Sequence, residues 1–237
     1  MGRFCYCSSI LPGKADQVRE HWKNKPKNTD PQEEEQFWNH LGMTGFESWL
    51  QQTPHGDFMI HCLEGKSLGQ IFKGLREQIA DGNQIALSLQ SFYLNVLGKD
   101  YALLDVEPKI ELLSDIELPR PSSFMKRSFF FPLLPHKEAA HRRFRQEIMG
   151  RKRARHEAFM KAFGVSRLST YLQSVGDTKY IVIYTENHIN TPSKSLERLD
   201  AGKNSPEWQE NSKELMDHTG LSYEELSPDV EWLTQDS

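Results

Sequence analysis

Little in this chain of 237 residues announces a reaction. It has three cysteines, an odd number with no Cys-x-x-Cys spacing, which suggests neither a disulfide framework nor a cysteine zinc site. Reduced thiols and a cytoplasmic location are therefore expected, with no metal. No apolar stretch approaches the roughly 18 residues needed to span a bilayer. The apolar run near Ser8 to Leu11 is short and meets Pro12-Gly13-Lys14, unlike a secretory signal. Tyr6 stands where a myristoylation signal requires Ser or Thr. There is no Walker, Rossmann, nucleophile-elbow or zinc-protease motif. The net charge of -4 is small, so neither nucleic acid nor a membrane surface is an expected partner.

What the chain does have is an internal repeat. Phe37 to Gln51 lies over Phe159 to Gln173, with Phe, Gly, Leu and Gln coinciding. Glu35 and Glu157, then Glu64 and Glu186, keep the same offset, as do Gly98-x-x-Tyr101-x-x-Leu104 and Gly220-x-x-Tyr223-x-x-Leu226. Leu11-Pro12-Gly13-Lys14 matches Leu134-Pro135-His136-Lys137 after one residue of slippage. The period is too long for a solenoid and reads as a duplicated domain. The expected repeats are 3–114 and 127–235, joined by the Pro/Ser-rich linker Leu118 to Ser123.

The first repeat opens on a strand, Arg3 to Ile10, followed by a helix from Lys14 that breaks at Pro26 to Thr29. Asp30-Pro31-Gln32-Glu33 restarts a helix, with Asp as N-cap and Pro in the first turn. Thr44 to Gln51 alternates like a half-buried strand, and Phe58 to Glu64 returns as its hairpin partner. Lys66 to Gly98 is helical apart from Asp81-Gly82-Asn83, and Pro108 to Asp115 closes the unit. The second repeat runs strand, one long helix from Lys137 to Phe163, hairpin, helix and strand. Each repeat is thus β-α-β-β-α-β, the split βαβ of ferredoxin-like folds.

Leu50-Gln51, Gly56-Asp57 and Glu64 in one copy, and Leu172-Gln173, Gly176-Asp177 and Glu186 in the other, resemble the dimeric α/β-barrel superfamily. The resemblance covers nearly the whole chain and implies an α+β fold: two tandem ferredoxin-like units forming an intrachain pseudo-dimeric α/β barrel. That superfamily includes cofactor-independent monooxygenases, heme-degrading monooxygenases and chlorite-dismutase-like heme proteins. Fold alone does not choose among them.

Comparing the two copies selects the candidate residues. Glu34 faces His156, Gly45 faces Arg167, Glu47 faces Ser169, His61 faces Ile183 and Val96 faces His218. Arg167 shares a strand face with Ser169, Tyr171 and Gln173 by period two. Such a face suits a carboxylate or phosphate, held bidentately by the Arg. Tyr184 has only Cys62 as its counterpart, so any ligand site is expected to use the second repeat. His61, in an apolar strand, suits a pocket base, although a satisfied core histidine is the commoner case.

His156 precedes Arg167 on the feeding helix, as heme-ligand His precedes Arg in the chlorite-dismutase-like branch. Its spacing is shorter than that pattern, and Arg151, Lys152, Arg153 and Arg155 before it read as a solvated helix surface. The basic residues from Arg142 to Arg155 read the same way, and His218 reads as a cation at a helix C-terminus. Cys5, Cys7 and Cys62 fall on neighbouring strands and read as free core thiols.

The functional expectation is a pocket for a small molecule of unknown identity, with cofactor-independent monooxygenase-like chemistry and no cofactor. Two alternatives stand beside it: a non-catalytic interaction module on the same scaffold and, more weakly, a heme protein. A homodimer is compatible with every one of these.

Overall fold

The computed structural model describes residues 1–23, 30–103, 106–120, 122–188, 206–221 and 230–234. In chain order the elements are β1 (Gly2–Ser9), α1 (Ala15–Lys23), α2 (Pro31–His40), β2 (Met43–Thr53), β3 (Gly56–Gly65), α3 (Leu68–Ala80), α4 (Gln84–Leu97) and β4 (Lys109–Glu117). Then follow β5 (Phe124–Pro132), α5 (Glu138–Met149), α6 (Arg153–Ala162), β6 (Val165–Val175), β7 (Thr178–His188), α7 (Pro206–Thr219) and β8 (Val230–Trp232).

Local chemistry sets the boundaries. Asp30 caps α2 by accepting from the Gln32 backbone N–H at 2.9 Å, with Pro31 in the first turn. Asn83 caps α4, and Gly98, at φ 65°, ends it. The expected break at 26–29 and the Tyr223 and Leu226 matches lie outside the described residues, as do Leu104 and Pro121.

The fold is α+β, with two four-stranded antiparallel sheets ordered β1-β3-β2-β8 and β4-β6-β7-β5. Each sheet has the same plan. A hairpin forms its centre, the first strand of the same repeat flanks the returning arm, and the last strand of the other repeat flanks the first arm. The hairpins even share an irregularity, a bulge between Met43 and Gly45 in one and between Val165 and Arg167 in the other.

The compact units therefore divide the chain differently from the sequence repeats. One is Met1–Pro108 with Asp229–Ser237, and the other is Lys109–Pro228. The strand expected to close the first repeat, near 108–115, pairs with β6. Sequence similarity reports ancestry of a segment, whereas strand pairing reports where that segment found a partner.

In the second unit, Phe131, Leu133, Leu172, Ile181 and Ile183 pack with Leu215 and Leu221, on one side of the sheet. Ile116, Phe144, Ile148 and Met160 make a neighbouring cluster. Alternation sends Ser169, Tyr171, Gln173 and Tyr184 to the opposite face, where they are also buried.

Two expectations are corrected. The long helix from Lys137 to Phe163 is two helices, because Gly150 takes a non-helical conformation at φ -107°, ψ -111°. The cysteines are not all reduced: Cys5 and Cys62 form a disulfide across β1 and β3, while Cys7 is free and buried. Register is the reason. Cys5 stands directly opposite Cys62, which an odd cysteine count could not reveal. Among the described residues no helix is long and apolar enough to cross a membrane.

Candidate functional site

The first unit holds a ring-lined cavity backed by a histidine. β3 sends His61 to the same sheet face as Tyr6 of β1 and Ser48 of β2, its direct cross-strand neighbours. His61 is fully buried, as is Ser48. The rings of Tyr6, Phe46 and Tyr93 surround the imidazole at centroid distances of 5.2, 5.8 and 5.6 Å. These same three rings, with Trp38, Phe72 and Tyr101, line a cavity of about 40 Å³. A single water needs roughly 10–15 Å³ by such a measure, so the space holds about three waters.

Hydrogen bonding fixes the state of His61. Ser48 Oγ lies 2.7 Å from His61 Nδ1. A buried hydroxyl is satisfied by donating its proton, and Nδ1 is the acceptor this contact offers Ser48. Ser48 therefore donates, Nδ1 accepts, and the ring proton sits on Nε2. That Nε2 is buried with no hydrogen-bond partner among the described residues. Burial, and secondarily the charge of Lys99, pushes the His61 pKa down to about 3, so at neutral pH it is an uncharged N–H donor.

A polar chain runs beside it. Lys99 Nζ donates to Ser8 Oγ at 2.9 Å, and Ser8 and Tyr6 hydrogen-bond to the Tyr101 hydroxyl. Burial holds the phenols of Tyr6, Tyr93 and Tyr101 above their ordinary pKa, so all three remain protonated.

The candidates of the second repeat form a separate network. Arg167 donates from Nε and Nη2 to Asp115, at 3.0 and 2.6 Å, and its Nη1 lies 3.3 Å from Glu117. Ser169 also donates to Asp115, at 2.7 Å. Tyr184 donates to Glu186 at 3.1 Å, and Arg120 lies 3.0 Å from the same carboxylate. Tyr171 and Gln173 are buried on this face. The structure thus brings Arg167, Ser169 and Asp115 together, and an anion at Arg167 has to displace a fork already engaged by Asp115.

Three helical residues depart from expectation. His156 is buried, with Nε2 lacking a partner among the described residues. Burial and the charge of Arg145 lower its pKa to about 4. His218 is 1% exposed and its pKa is lowered by burial, so it is not the helix-terminal cation expected. Arg145, counted among a solvated basic surface, is 4% exposed. The helix periodicity carried the correction: Phe144, Arg145 and Ile148 lie on the buried stripe of α5, and Arg143 and Gln146 outside it.

A heme does not fit beside His156. The space there is about 20 Å³, bounded by Ile148, Lys152, Arg155, Glu210 and Asn211. Small-molecule and cofactor sites span roughly 300–1,000 Å³.

Ser48 and the three tyrosines were absent from the sequence candidates. Once Thr53 pairs with Gly56, Ser48 must pair with His61, so a register for the hairpin would have found it.

No protein-family model matches the chain, and no curated protein is similar to it. Among solved structures, the chain is similar to a protein of Fusobacterium nucleatum described as a "putative monooxygenase", at 8% identity, covering 97% of this chain and 89% of that one, with a TM-score of 0.45. It is also similar to a Lactobacillus acidophilus protein with the same description, at 13% identity, covering 98% and 93%, with a TM-score of 0.43. Neither likeness bears on the reaction of this chain.

Proposed function

We propose that the first unit binds a small, flat, electron-rich molecule, and that its chemistry is of the cofactor-independent monooxygenase kind. The observation behind this reading is the fully buried His61 imidazole, whose Nε2–H lacks a partner among the described residues and sits amid aromatic rings. Oxygenation without a cofactor draws its electrons from the substrate, which reacts as a phenolate- or enolate-like anion after giving its proton to solvent. A neutral N–H donor in an apolar enclosure stabilises such an oxyanion far more than the same donor does in water. Tyr6, Phe46 and Tyr93 stand between His61 and the cavity, so a substrate oxygen reaches Nε2 when one of these rings turns aside. On the same reading His61 is preferred over Arg167, whose Nε and Nη2 donate to Asp115.

One observation favours the alternative of a non-catalytic scaffold: the cavity admits only about three waters. Native mass spectrometry of the purified chain, with oxygen uptake measured on hydroquinone, separates the two. A co-purifying ligand or oxygen uptake that is lost in His61→Phe supports the pocket. A bare wild-type chain without oxygen uptake supports the scaffold. A cytoplasmic location remains part of the proposal. The Cys5–Cys62 bond, rare in that compartment, is shielded from reductants by burial of both residues.

A further inference from the structure

The second unit buries a guanidinium without a counterion. Arg145 of α5 is 4% exposed, and among the described residues no carboxylate pairs with it. Among the described residues its hydrogen bond runs from Nε to His141 Nε2, at 3.4 Å. Because Arg can only donate, His141 Nε2 must accept, which puts the His141 proton on Nδ1. That Nδ1 lies 3.3 Å from His218 Nδ1, which accepts in turn. His218 Nε2–H then points toward the half-exposed Glu214 carboxylate at 3.6 Å. His156 of α6 completes the group and feels the charge of Arg145. Its Nε2 is the buried, unpartnered nitrogen already noted, and it borders the small space between α5, α6 and α7.

The first repeat shows what this cluster replaced. With the one-residue slippage of the Leu-Pro-x-Lys match, His141 corresponds to Val18 and Arg145 to Trp22, and His218 corresponds to Val96. The backbone supports the correspondence: Leu11 N–H donates to the Val96 carbonyl, and Leu134 N–H to the His218 carbonyl, both at 2.8 Å. Val18, Trp22 and Val96 are all buried apolar residues. Three core positions in mutual reach have thus become polar together in one copy. A lone buried charge costs several kcal/mol unless something pairs with it, so unselected drift does not account for the set.

We propose that Arg145, with His141, His156 and His218, forms a site for the oxyanion group of a small ligand, a carboxylate or a phosphate. The unpaired Nη groups of Arg145 suit an oxyanion bidentately, and the fixed positive charge repels a metal cation from the histidines. Of these four residues His156 alone borders the space of about 20 Å³, which has room for one or two atoms of water size, so an oxyanion group reaches Arg145 as the side chains around the guanidinium give way.

The test uses the full chain titrated with sodium acetate and with sodium phosphate, against chloride at equal ionic strength. Thermal shift and imidazole ¹⁵N chemical shifts are the readouts. Saturable stabilisation by either anion, with shifts at His141 and His156, is expected, and Arg145→Met should weaken the affinity at least tenfold. Acetate alone would identify a carboxylate site, and phosphate alone a phosphate site. If Arg145→Met does not fold, Arg145→Lys keeps the charge without the fork and should bind measurably more weakly. Equal binding by wild type and variant, or no histidine shift with either anion, overturns the proposal. The site is separate from the His61 cavity, so failure of one reading leaves the other standing.

Discussion

Mild acid should weaken the second unit about twice as much as the first. Burial holds His61 at a pKa of about 3 and His141 at about 2, and burial with the charge of Arg145 holds His156 at about 4. In the unfolded chain each returns to roughly 6.5. The unfolded state therefore binds more protons below pH 6.5, and folding stability falls as the pH drops through that value toward the folded pKa. Between pH 7.5 and 5.5 each such histidine removes about 1.4 kcal/mol. The first unit has His61 and loses about 1.4 kcal/mol. The second has His141 and His156 and loses about 2.8 kcal/mol, to which the lowered pKa of His218 adds in the same direction. Domains are typically stable by about 5–15 kcal/mol, so this is a large fraction. Carboxylates with lowered pKa, such as Glu147 and Asp217, act only in stronger acid and do not blur this window. Hydrogen exchange of peptides from β2–β3 and β6–β7, corrected for intrinsic rates at the two pH values, reads the units separately. Equal loss of protection in both, or none in either, would refute the burial argument.

Two further outcomes follow from the same contacts. Titration with a thiol reagent in denaturant should find one free thiol, Cys7, before reduction and three after it. Reduction removes a cross-link between positions 57 apart in sequence and should destabilise the first unit by about 4 kcal/mol; three thiols without reductant would show the bond absent. Arg167→Ala and Asp115→Ala should each destabilise the second unit, and their double-mutant cycle should give a coupling of about 1–2 kcal/mol, whereas a coupling near zero would mean that the fork contributes nothing net.

Periodicity and repetition made the elements legible. Asp30, Asn83 and the hairpin turns carry local chemistry that acts within a few residues of itself, so their boundaries could be read directly. What could not be read was partnership between distant segments. The strand near 109–117 is the same strand whichever sheet it joins, and nothing local distinguishes β2 from β6 as its neighbour. Cys5 and Cys62 are equally silent until β1 and β3 are in register. The site shows the same division. His61 stood out because an apolar strand contained it, but Ser48, which fixes its tautomer, stood out only through the pairing. Arg167 looked like a free cation because its strand alternates. Asp115, which occupies it, is supplied by β4, the strand assigned to the other repeat.

Two similar halves are controls for one another, and that comparison explains why Arg145 was misread while carrying the strongest anomaly among the described residues. Composition placed it in a run of basic residues, and most of that run behaves as such: Arg151, Arg153 and Arg155 are exposed and paired with Glu147, Glu157 and Glu210. Such surface pairs contribute little. Arg145 differs in facing inward, where its counterpart Trp22 also lies buried and stacks on Phe46 at 5.3 Å. The same geometric position is thus filled by a ring in one copy and by a cation in the other. A ring needs only apolar neighbours, and the first unit supplies them in Phe46, which in turn stacks on Trp38 and His61. A cation needs an anion, and the described residues of the second unit supply neutral imidazoles and the Phe144 ring, 5.4 Å from the guanidinium carbon. The two halves therefore differ in what their interiors can hold: one encloses an uncharged donor among rings, and the other encloses a charge with no counterion among the described residues.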